Sequence, residues 1–577
     1  MFHQKTPLSR TFVVVAVLTA TCGIFATTAS AQRSGVSPRL ALAHTWHHAL
    51  SIPGTVNLAG YVGSLSCPSA GNCGAAGSFK DLYGNVVPMV ATESNGVWAS
   101  GVEVPGTGGF SSKGGSARAI SCASAGNCTV GGAYVDGSVH DQPFVATEVS
   151  GSWGLALQIP GLASLNVGGS DVGKMACSSP GNWSLAGYYA DGSSHYQAFV
   201  DTQINGKWAT AIALPGLIAL NAGGHDYVMA LTCVSSGNCV ITGRYRDVSN
   251  HFQAFVANET NRSWGAAFEV PGTSALNVTG SASATGVACP ATGKCHLVGY
   301  YSDGNSHIEA FLANEIDGVW SPAFEAPGSA ARNVGNDAAL LTIACSSIGF
   351  CSAGGYFSDA ALHGQAMVIN EANGIWSNVV VLPGSVALNV DGAARVDAVS
   401  CSSAGNCSAA GLYSDSSNFS QVLVANEING IWMPAIEIPG FAALNVKGNT
   451  NVNELSCAPN GGCSVGGYFI DGSSKVENYV ASEVIGSAPS SPLSVRALAA
   501  NTVALVQWAA PAHTNGSPIF LFTVKSTSGT HTCTTISQFC VVSGLSNSKS
   551  YRFTVTATNL GGMSPRSVPT NLVRPHV

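Results

Sequence analysis

One short segment recurs along almost the whole sequence and constrains its fold more than any other feature. At residues 400–415 it reads SCSSAGNCSAAGLYSD, and close copies follow one another every 55 or 56 residues. Its first cysteine marks eight units, at Cys67, Cys122, Cys177, Cys233, Cys289, Cys345, Cys401 and Cys457. Internal repeats of this length are typical of solenoids and propellers, in which each unit packs on the next.

Each repeat carries the pattern of four short strands. A Trp opens the unit, Pro-Gly follows seven or eight residues later, and runs of five to eight apolar residues alternate with turn residues. Around Cys401 we predict strands at residues 396–401, 407–413, 420–426 and 431–438, with Asn429 and Gly430 forming a tight hairpin. Four antiparallel strands repeated eight times predict an all-β protein with an eight-bladed β-propeller at residues 46–486. A β-solenoid is the alternative.

The two ends of the repeat array complement each other. The eighth repeat stops near residue 486 without its Trp strand, while residues 46–52 form a Trp strand with no earlier strands beside it. We therefore predict that the N-terminal strand completes the last blade and closes the ring, which leaves no strand edge exposed.

The N-terminal residues have the features of a secretory signal. Lys5 and Arg10 precede an apolar run at residues 12–25, and small residues at 29–31 offer a cleavage point. We predict a signal peptide at residues 1–31 and a linker at 32–45. The run is shorter than the roughly 20 residues of a membrane span, so we expect a secreted chain with no membrane span after cleavage. A net charge of −7 without a basic cluster argues against nucleic acid as a partner.

The cysteines predict disulfides rather than a metal site. Two cysteines flank the turn between the first two strands of seven repeats, which in an exported protein indicates a local disulfide. The predicted pairs are Cys67 with Cys73, Cys122 with Cys128, Cys233 with Cys239, Cys289 with Cys295, Cys345 with Cys351, Cys401 with Cys407, Cys457 with Cys463, and, beyond the repeats, Cys533 with Cys540. Cys177 is left free because Trp183 occupies its partner's place. Zinc needs four tetrahedral ligands, which two cysteines per repeat do not supply.

A different pattern begins after a Pro/Ser linker at residues 487–492. An apolar run ends at Trp508, Leu545 precedes Tyr551 by six residues, and residues 551–559 alternate apolar and polar side chains. Residues 493–577 thereby resemble a fibronectin type III domain, and the resemblance implies a β-sandwich with Trp508 in its core and Tyr551 in a tyrosine corner. It implies a spacer or adhesive module. The repeats are similar to those of exported actinobacterial proteins with tandem SCxSxGNC and QAFV segments, which implies no activity.

One face of the propeller is expected to carry the candidate binding residues. The turns between second and third strands should share a face with the long connections between blades. These turns carry an Asp in every repeat and a His in five, namely Asp81, Asp136, Asp191, Asp247, Asp303, Asp359, Asp415, Asp471, His140, His195, His251, His307 and His363. An Asp can also simply cap its own turn. No catalytic residue, cofactor or metal is predicted.

Three classes of function fit these observations. We favour a non-catalytic extracellular binding, adhesion or display protein, monomeric, with a glycan or protein ligand. The alternatives are a structural surface or matrix component and an exported polysaccharide-active hydrolase. An acid, His or Arg unique to one repeat and set in the central channel would distinguish them. Lys113, Lys174, Arg244 and Arg246 are the candidates for unique charged residues.

Overall fold

The computed structural model describes residues 46–576 except 111–113, 194, 460, 484–487, 515–518, 520, 529 and 560–561. The predicted signal peptide and the linker after it lie outside the described residues. Strands make up 57% of the chain and helices 4%, which confirms the predicted all-β class. In the part of the chain that is described, no helix has the length and apolar character to cross a bilayer.

Each repeat forms one antiparallel sheet, and we number the sheets 1 to 8 in chain order. The first strands are Gly60–Ser69, Gly115–Ser124, Ser170–Ser179, Asp226–Ser235, Ser283–Ala291, Ala338–Ser347, Arg395–Ser403 and Thr450–Cys457. The second strands are Asn72–Lys80, Asn127–Val135, Asn182–Ala190, Asn238–Arg246, Lys294–Ser302, Phe350–Ser358, Asn406–Ser414 and Cys463–Ile470. The third strands are Val86–Ser94, Asp141–Val149, Tyr196–Ile204, Phe252–Thr260, Ile308–Ile316, Gly364–Ala372, Ser420–Ile428 and Val476–Ser482.

Sheets 1 to 7 add two very short strands that both pair with the third strand. The fourth strands are Val97–Trp98, Ser152–Trp153, Lys207–Trp208, Ser263–Trp264, Val319–Trp320, Ile375–Trp376 and Ile431–Trp432. The fifth strands are Val102–Glu103, Leu157–Gln158, Ile212–Ala213, Phe268–Glu269, Phe324–Glu325, Val380–Val381 and Ile436–Glu437. Single helical turns follow many of the Pro-Gly pairs, at Thr107–Gly109, Leu162–Ser164, Leu217–Leu220, Thr273–Leu276, Ser385–Leu388 and Phe441–Leu444.

The turns form where the sequence indicates them. In sheet 7 the predicted strands at 396–401, 407–413 and 420–426 differ from the observed ones by at most two residues at either end. Asn429 and Gly430 both have positive φ, 51° and 81°, as a two-residue hairpin of type I′ requires.

The predicted fourth strand at residues 431–438 is wrong as a continuous element. The backbone N–H of Met433 still donates to the Asn426 carbonyl of its own sheet, at 2.8 Å. Two residues on, the N–H of Ala435 donates to the carbonyl of Pro383 in the preceding repeat, at 2.7 Å. The strand is split because its middle bonds to the neighbouring repeat instead of its own sheet.

This bond between repeats occurs eight times. Its donors and acceptors are Gly101 and Pro53, Ala156 and Pro105, Ala211 and Pro160, Ala267 and Pro215, Ala323 and Pro271, Val379 and Pro327, Ala435 and Pro383, and Ala49 and Pro439. The first and last of these bonds attach the N-terminal segment to sheet 1 on one side and to sheet 7 on the other.

The N-terminal segment lies beside the third strand of sheet 8. Trp46 pairs with Glu483 and Leu50 with Val480 in antiparallel bridges. The N–H of Leu50 and the carbonyl of Val480 are 3.0 Å apart, and the reciprocal bond is 2.9 Å. Trp46 is only 4% exposed, and Ile52 is fully buried.

Sheets 8 and 1 contact each other as sheets 1 and 2 do. The N–H of Cys67 in sheet 1 donates to Ser456 Oγ in sheet 8, at 2.9 Å. The equivalent bond between sheets 2 and 1 joins Cys122 to Ser66, also at 2.9 Å. The apolar cluster beneath sheet 1 contains Val480 of sheet 8.

Within the described residues, eight disulfides are present, between the predicted partners in each case: Cys67 with Cys73, Cys122 with Cys128, Cys233 with Cys239, Cys289 with Cys295, Cys345 with Cys351, Cys401 with Cys407, Cys457 with Cys463, and Cys533 with Cys540. Cys177 is free and lies opposite Trp183 in the strand pairing. Burial raises the pKa of its thiol to about 11, which keeps the thiol protonated at neutral pH.

Peptide mapping without reduction should recover these eight bonds from the secreted protein. We expect Cys177 to label with a thiol reagent only after unfolding, because its thiol is partly buried and protonated. Cys177→Ser should leave the other bonds unchanged. A disulfide between Cys177 and another repeat cysteine would contradict the one-pair-per-repeat assignment.

The C-terminal residues form a separate sandwich of two sheets. One contains Leu493–Ala500, Val503–Ala509 and Phe539–Val542, and the other contains Leu521–Ser526, Thr532–Thr535, Phe553–Asn559 and Gly562–Met563. Trp508 packs 5.3 Å from Phe522 in the core between them. The Tyr551 hydroxyl accepts a bond from the Ser546 N–H at 3.0 Å. Cys533 and Cys540 join the two sheets.

Candidate functional site

The Asp that recurs in every repeat is held by hydrogen bonds within its own turn. At Asp136, Oδ1 accepts from the N–H groups of Ser138 and His140, at 2.8 and 3.0 Å, and Oδ2 accepts from Gln142 at 3.0 Å. These bonds, led by the one from the His140 backbone, lower the pKa of Asp136. Asp81, Asp191, Asp247, Asp303, Asp359, Asp415 and Asp471 accept the same two backbone bonds. Each carboxylate therefore stabilises the turn of its own sheet, and the eight carboxylates do not form one group.

Three of the five recurring histidines pack their rings against a glycine. A Cβ on Gly224, where φ is +75°, would lie 2.4 Å from the ring of His195. Gly280 and His251 make the same contact, as do Gly392 and His363. In sheet 7 the ring of Phe419 occupies this place over Gly448. The same position holds Asn85 in sheet 1 and Lys475 in sheet 8, so the turn forms with or without a ring there. His140 and His307 occupy the same turns in sheets 2 and 5.

One group of potential metal ligands among the described residues is already engaged in other bonds. His296, Cys345 and Cys351 lie within ligand distance of one another, but the two sulfurs are joined to each other. His296 Nδ1 is 2.8 Å from Asn314 Oδ1, and Nε2 is 3.4 Å from Glu371 Oε2. The imidazole therefore bridges sheets 5 and 6 within the protein.

The first strands of all eight sheets line one cavity of about 510 Å³. Each contributes the residues three and four positions before its first cysteine. These pairs are Gly63 and Ser64, Arg118 and Ala119, Gly173 and Lys174, Met229 and Ala230, Thr285 and Gly286, Leu341 and Thr342, Asp397 and Ala398, and Asn453 and Glu454. We call this cavity the channel. Four of its wall residues, Arg118, Lys174, Asp397 and Glu454, are charged, and each occurs in one repeat only.

The channel carboxyls titrate near neutrality. Removal from water raises the pKa of Glu454 to about 7, against the opposing effect of the Lys174 charge. Removal from water also raises the pKa of Asp397 to about 6, although Arg395 Nε lies 2.5 Å from its Oδ1 and acts in the other direction. Both groups can therefore donate or accept a hydrogen bond at neutral pH.

A cluster of arginines and aromatic rings lies where the strands of sheet 4 meet its Asp turn. The guanidinium carbon of Arg244 is 4.8 Å from the ring centroid of Tyr227 and 4.4 Å from that of Phe252. Arg246 lies 4.7 Å from the Phe252 centroid. Arg244 Nη1 donates to the Tyr300 hydroxyl of sheet 5 at 3.3 Å. We call Tyr227, Arg244, Arg246, Phe252 and Tyr300 the rim cluster.

Side-chain contacts connect the starts of the first strands with the channel. Arg395 and Asn451 occupy the position in sheets 7 and 8 that Tyr227 occupies in sheet 4. Arg395 binds Asp397 in the channel, and Asn451 Nδ2 donates to Asn453 Oδ1 at 2.7 Å. Channel Arg118 forms an ion pair with Asp171, which holds this position in sheet 3. The candidate site is thus the channel together with its rim at the Asp-turn end.

Sequence reasoning found part of this site. Lys174 lies in the channel, Arg244 and Arg246 lie at the rim, and Lys113 is outside the described residues. The sequence analysis does not single out Arg118, Asp397 and Glu454, because its argument rests on positions that are the same in every repeat. The available signal is a charge at a position where six of the eight repeats carry an uncharged residue.

These features define a class of protein, an all-β repeat protein rich in disulfides with a β-sandwich module at its C-terminal end. Residues 487–573 match the family model of the fibronectin type III domain. The eight disulfides and this domain point to an extracellular or secreted protein. A comparison with curated proteins finds no match.

Solved structures give only distant likenesses. A protein of unknown function from Dyadobacter fermentans is 10% identical, with 76% of this chain and 99% of that chain covered and a TM-score of 0.36. A subtype N11 neuraminidase-like protein of A/flat-faced bat/Peru/033/2010 (H18N11) is 10% identical, covering 77% and 95%, with a TM-score of 0.30. Titin kinase with its flanking domains is 24% identical, but this chain spans only 17% of that chain and the match covers 15% of this one, with a TM-score of 0.15. TM-scores this low support no inference about function.

Proposed function

We propose that the chain is an exported, non-catalytic binding protein whose eight sheets are the blades of a closed propeller and whose ligand binds at the channel and its rim. The observation that carries this proposal is the placement of charges. Arg118, Lys174, Asp397 and Glu454 interrupt an otherwise uncharged wall in a cavity that is lined by residues of every repeat. A repeat needs no charge at these two positions to fold, because four of the eight repeats have none.

Several contacts support ring closure. The eight bonds to proline carbonyls, the pairing of Trp46 with Glu483 and the bond from Cys67 to Ser456 continue the contacts between repeats across the two ends of the array. A closed ring also explains why all eight first strands face one cavity. An open solenoid would leave the first and last repeats apart.

The C-terminal domain fits this role as a display or spacer module. Among the residues of the sandwich that the structure describes, the core consists of apolar side chains such as Trp508, Val524 and Phe553, without a cluster of acidic, basic or His side chains. We propose a monomer that binds an extracellular glycan or protein and neither nucleic acid nor a cofactor.

A second candidate rests on one observation. Asp397 and Glu454 line the channel from neighbouring repeats, and both titrate near neutrality. Glycoside hydrolysis uses two carboxyl groups of which one is protonated. An exported polysaccharide-active hydrolase is therefore the alternative to binding alone.

The test is a glycan array probed with the mature protein and three variants. Lys174→Met and Glu454→Gln remove the channel charges, and we expect each to weaken the strongest binding at least tenfold. Lys207→Met is the matched control, because Lys207 is exposed on a hairpin of the same repeat as Lys174. Unchanged binding by both channel variants would move the site elsewhere. Release of shorter sugars by the wild type and not by Glu454→Gln would favour the hydrolase.

A further inference from the structure

We infer that the rim cluster of the fourth repeat recognises an acidic sugar, with the carboxylate of the sugar at Arg244 and Arg246 and the face of its ring against Tyr227. This inference rests on the proposed binding function and specifies the chemical class of the ligand.

The two arginines lack the acidic partners that other arginines of the site have. Arg118 pairs with Asp171 and Arg395 with Asp397. Within the described residues, no ion pair involves Arg244 or Arg246, and the buried Nε of each has no hydrogen-bond partner. Because both guanidinium carbons lie close to the Phe252 centroid, the two charges are no more than about 9 Å apart. An anion bound to both guanidinium groups would offset their mutual repulsion.

The pair breaks the repeat pattern in one place. At the position of Arg244 the other repeats carry Ser78, Ala133, Tyr188, Tyr300, Tyr356, Leu412 and Tyr468. At the position of Arg246 they carry Lys80, Val135, Ala190, Ser302, Ser358, Ser414 and Ile470. Neutral residues are therefore sufficient for folding at the first position in seven repeats, and two arginines together occur in one repeat only.

The neighbouring rings give the arginines a fixed orientation and an open surface. A guanidinium stacked on aromatic faces is held flat, which suits bidentate binding of a planar carboxylate. Tyr227 remains 43% exposed and Tyr196, in sheet 3, 40% exposed. Tyr196 packs edge-on against Tyr188 at 5.3 Å and lies 5.6 Å from His225. Exposed, rigid rings beside a cation suit a ligand with both a flat apolar face and a negative charge, as an acidic sugar has.

The experiment measures binding of the mature protein to oligogalacturonate, a sugar with one carboxylate per residue, with dextran oligomers as the neutral counterpart. We expect binding to oligogalacturonate that weakens as salt rises, and none to dextran. Arg244→Gln should weaken binding at least tenfold, and Tyr227→Ala, at an exposed side chain, should weaken it severalfold without affecting folding. Arg262→Gln is the matched control, since it removes a positive charge from an exposed hairpin of the same sheet and should change binding less than twofold.

Other outcomes overturn the inference. Equal binding by Arg244→Gln and wild type would show that the rim cluster is not the site. Binding of polyglutamate but not oligogalacturonate, lost in Arg244→Gln, would make the ligand an acidic peptide. If the protein binds a neutral glycan that Lys174→Met abolishes and ignores oligogalacturonate, the proposed binding function stands and the acidic-sugar inference fails.

Discussion

Deletion of the N-terminal residues through Pro53 is expected to lower the melting temperature of the repeats by roughly 5 °C or more. The deletion removes the strand that pairs with Val480. It also removes two proline-carbonyl bonds, one from the Ala49 N–H to Pro439 and one from the Gly101 N–H to Pro53. It also removes buried Trp46 and Ile52, and burial of the Trp side chain alone is worth about 2 to 3 kcal/mol. From the per-residue entropy of unfolding, 1 kcal/mol corresponds to about 1 °C in a unit of about 440 residues. Calorimetry of the two forms measures the difference.

The matched deletion removes the chain from Pro489 onward. It takes away more residues, yet we expect the transition of the repeats to stay within a few degrees and the transition of the sandwich to disappear. Trp46→Ala in the full chain separates the loss of packing from the loss of chain length. It should lower the free energy of unfolding by roughly 3 to 5 kcal/mol. If the N-terminal deletion melts like the intact protein, an open stack of repeats becomes the better description.

Asp226→Asn is expected to stabilise the protein at pH 8, by up to about 5 kcal/mol. Asp226 is 1% exposed at the start of the first strand of sheet 4. Burial raises its pKa from 3.8 to about 8, against the opposing hydrogen bond from the Ala198 N–H. The folded state thus holds a proton that the unfolded state has already lost. Its contribution to the free energy of unfolding is fully present below pH 4 and is lost as pH rises to 8, at about 1.4 kcal/mol per unit. Asparagine keeps the acceptor oxygen without the charge.

Denaturant unfolding of both proteins at pH 5 and pH 8 tests this. The wild type should lose stability between these values, and Asp226→Asn should lose about 4 kcal/mol less. The variant still loses some stability, because burial also raises the pKa values of Asp171, Asp201 and Glu454 to about 7. Asp247→Asn, in the same repeat, is the control of opposite sign. Burial tends to raise the pKa of Asp247, but bonds from Gln253, His251 and Ser249 outweigh it and lower the pKa. Its contribution is therefore present at pH 8, so this variant should be less stable there. If Asp226→Asn loses as much stability as the wild type between pH 5 and pH 8, Asp226 is charged in the folded state.

The fold could be predicted largely because the same pattern of strands and turns occurs in eight copies. Turn residues such as Asn429 and Gly430 recur at a fixed register, so strand ends are determined within one or two residues. The split of the Trp strand could not be predicted, because it depends on where the Ala435 N–H finds an acceptor. That acceptor, Pro383, is 52 positions earlier in the chain and belongs to another sheet.

The candidate site was harder to predict for a related reason. A strand irregularity lies between the residues five and three positions before the first cysteine in each first strand, for example between Val396 and Ala398. The residue between them, Asp397, lines the channel as Ala398 does. Simple alternation along the strand does not predict two successive residues at the same cavity. Asp397 and Glu454 are evident in the sequence as charged residues. That both line the same cavity depends on how the first strands of eight repeats are arranged, which the sequence does not show.

The attachment of residues 46–52 to the eighth sheet has a consequence for the order of events in folding. Trp46 and Glu483 are more than 400 residues apart, so the earliest described strand has its hydrogen-bonding partner only after nearly all repeats have been synthesised. Until then the apolar side chains of Val62 and Leu65, which pack beside Val480 in the finished structure, lack one wall of their core. Contacts at such long separation form late, and a chain that waits for them exposes apolar surface and a free strand edge. The local disulfides, each spanning six residues, can form within single repeats during this interval and keep each hairpin intact until the two ends meet.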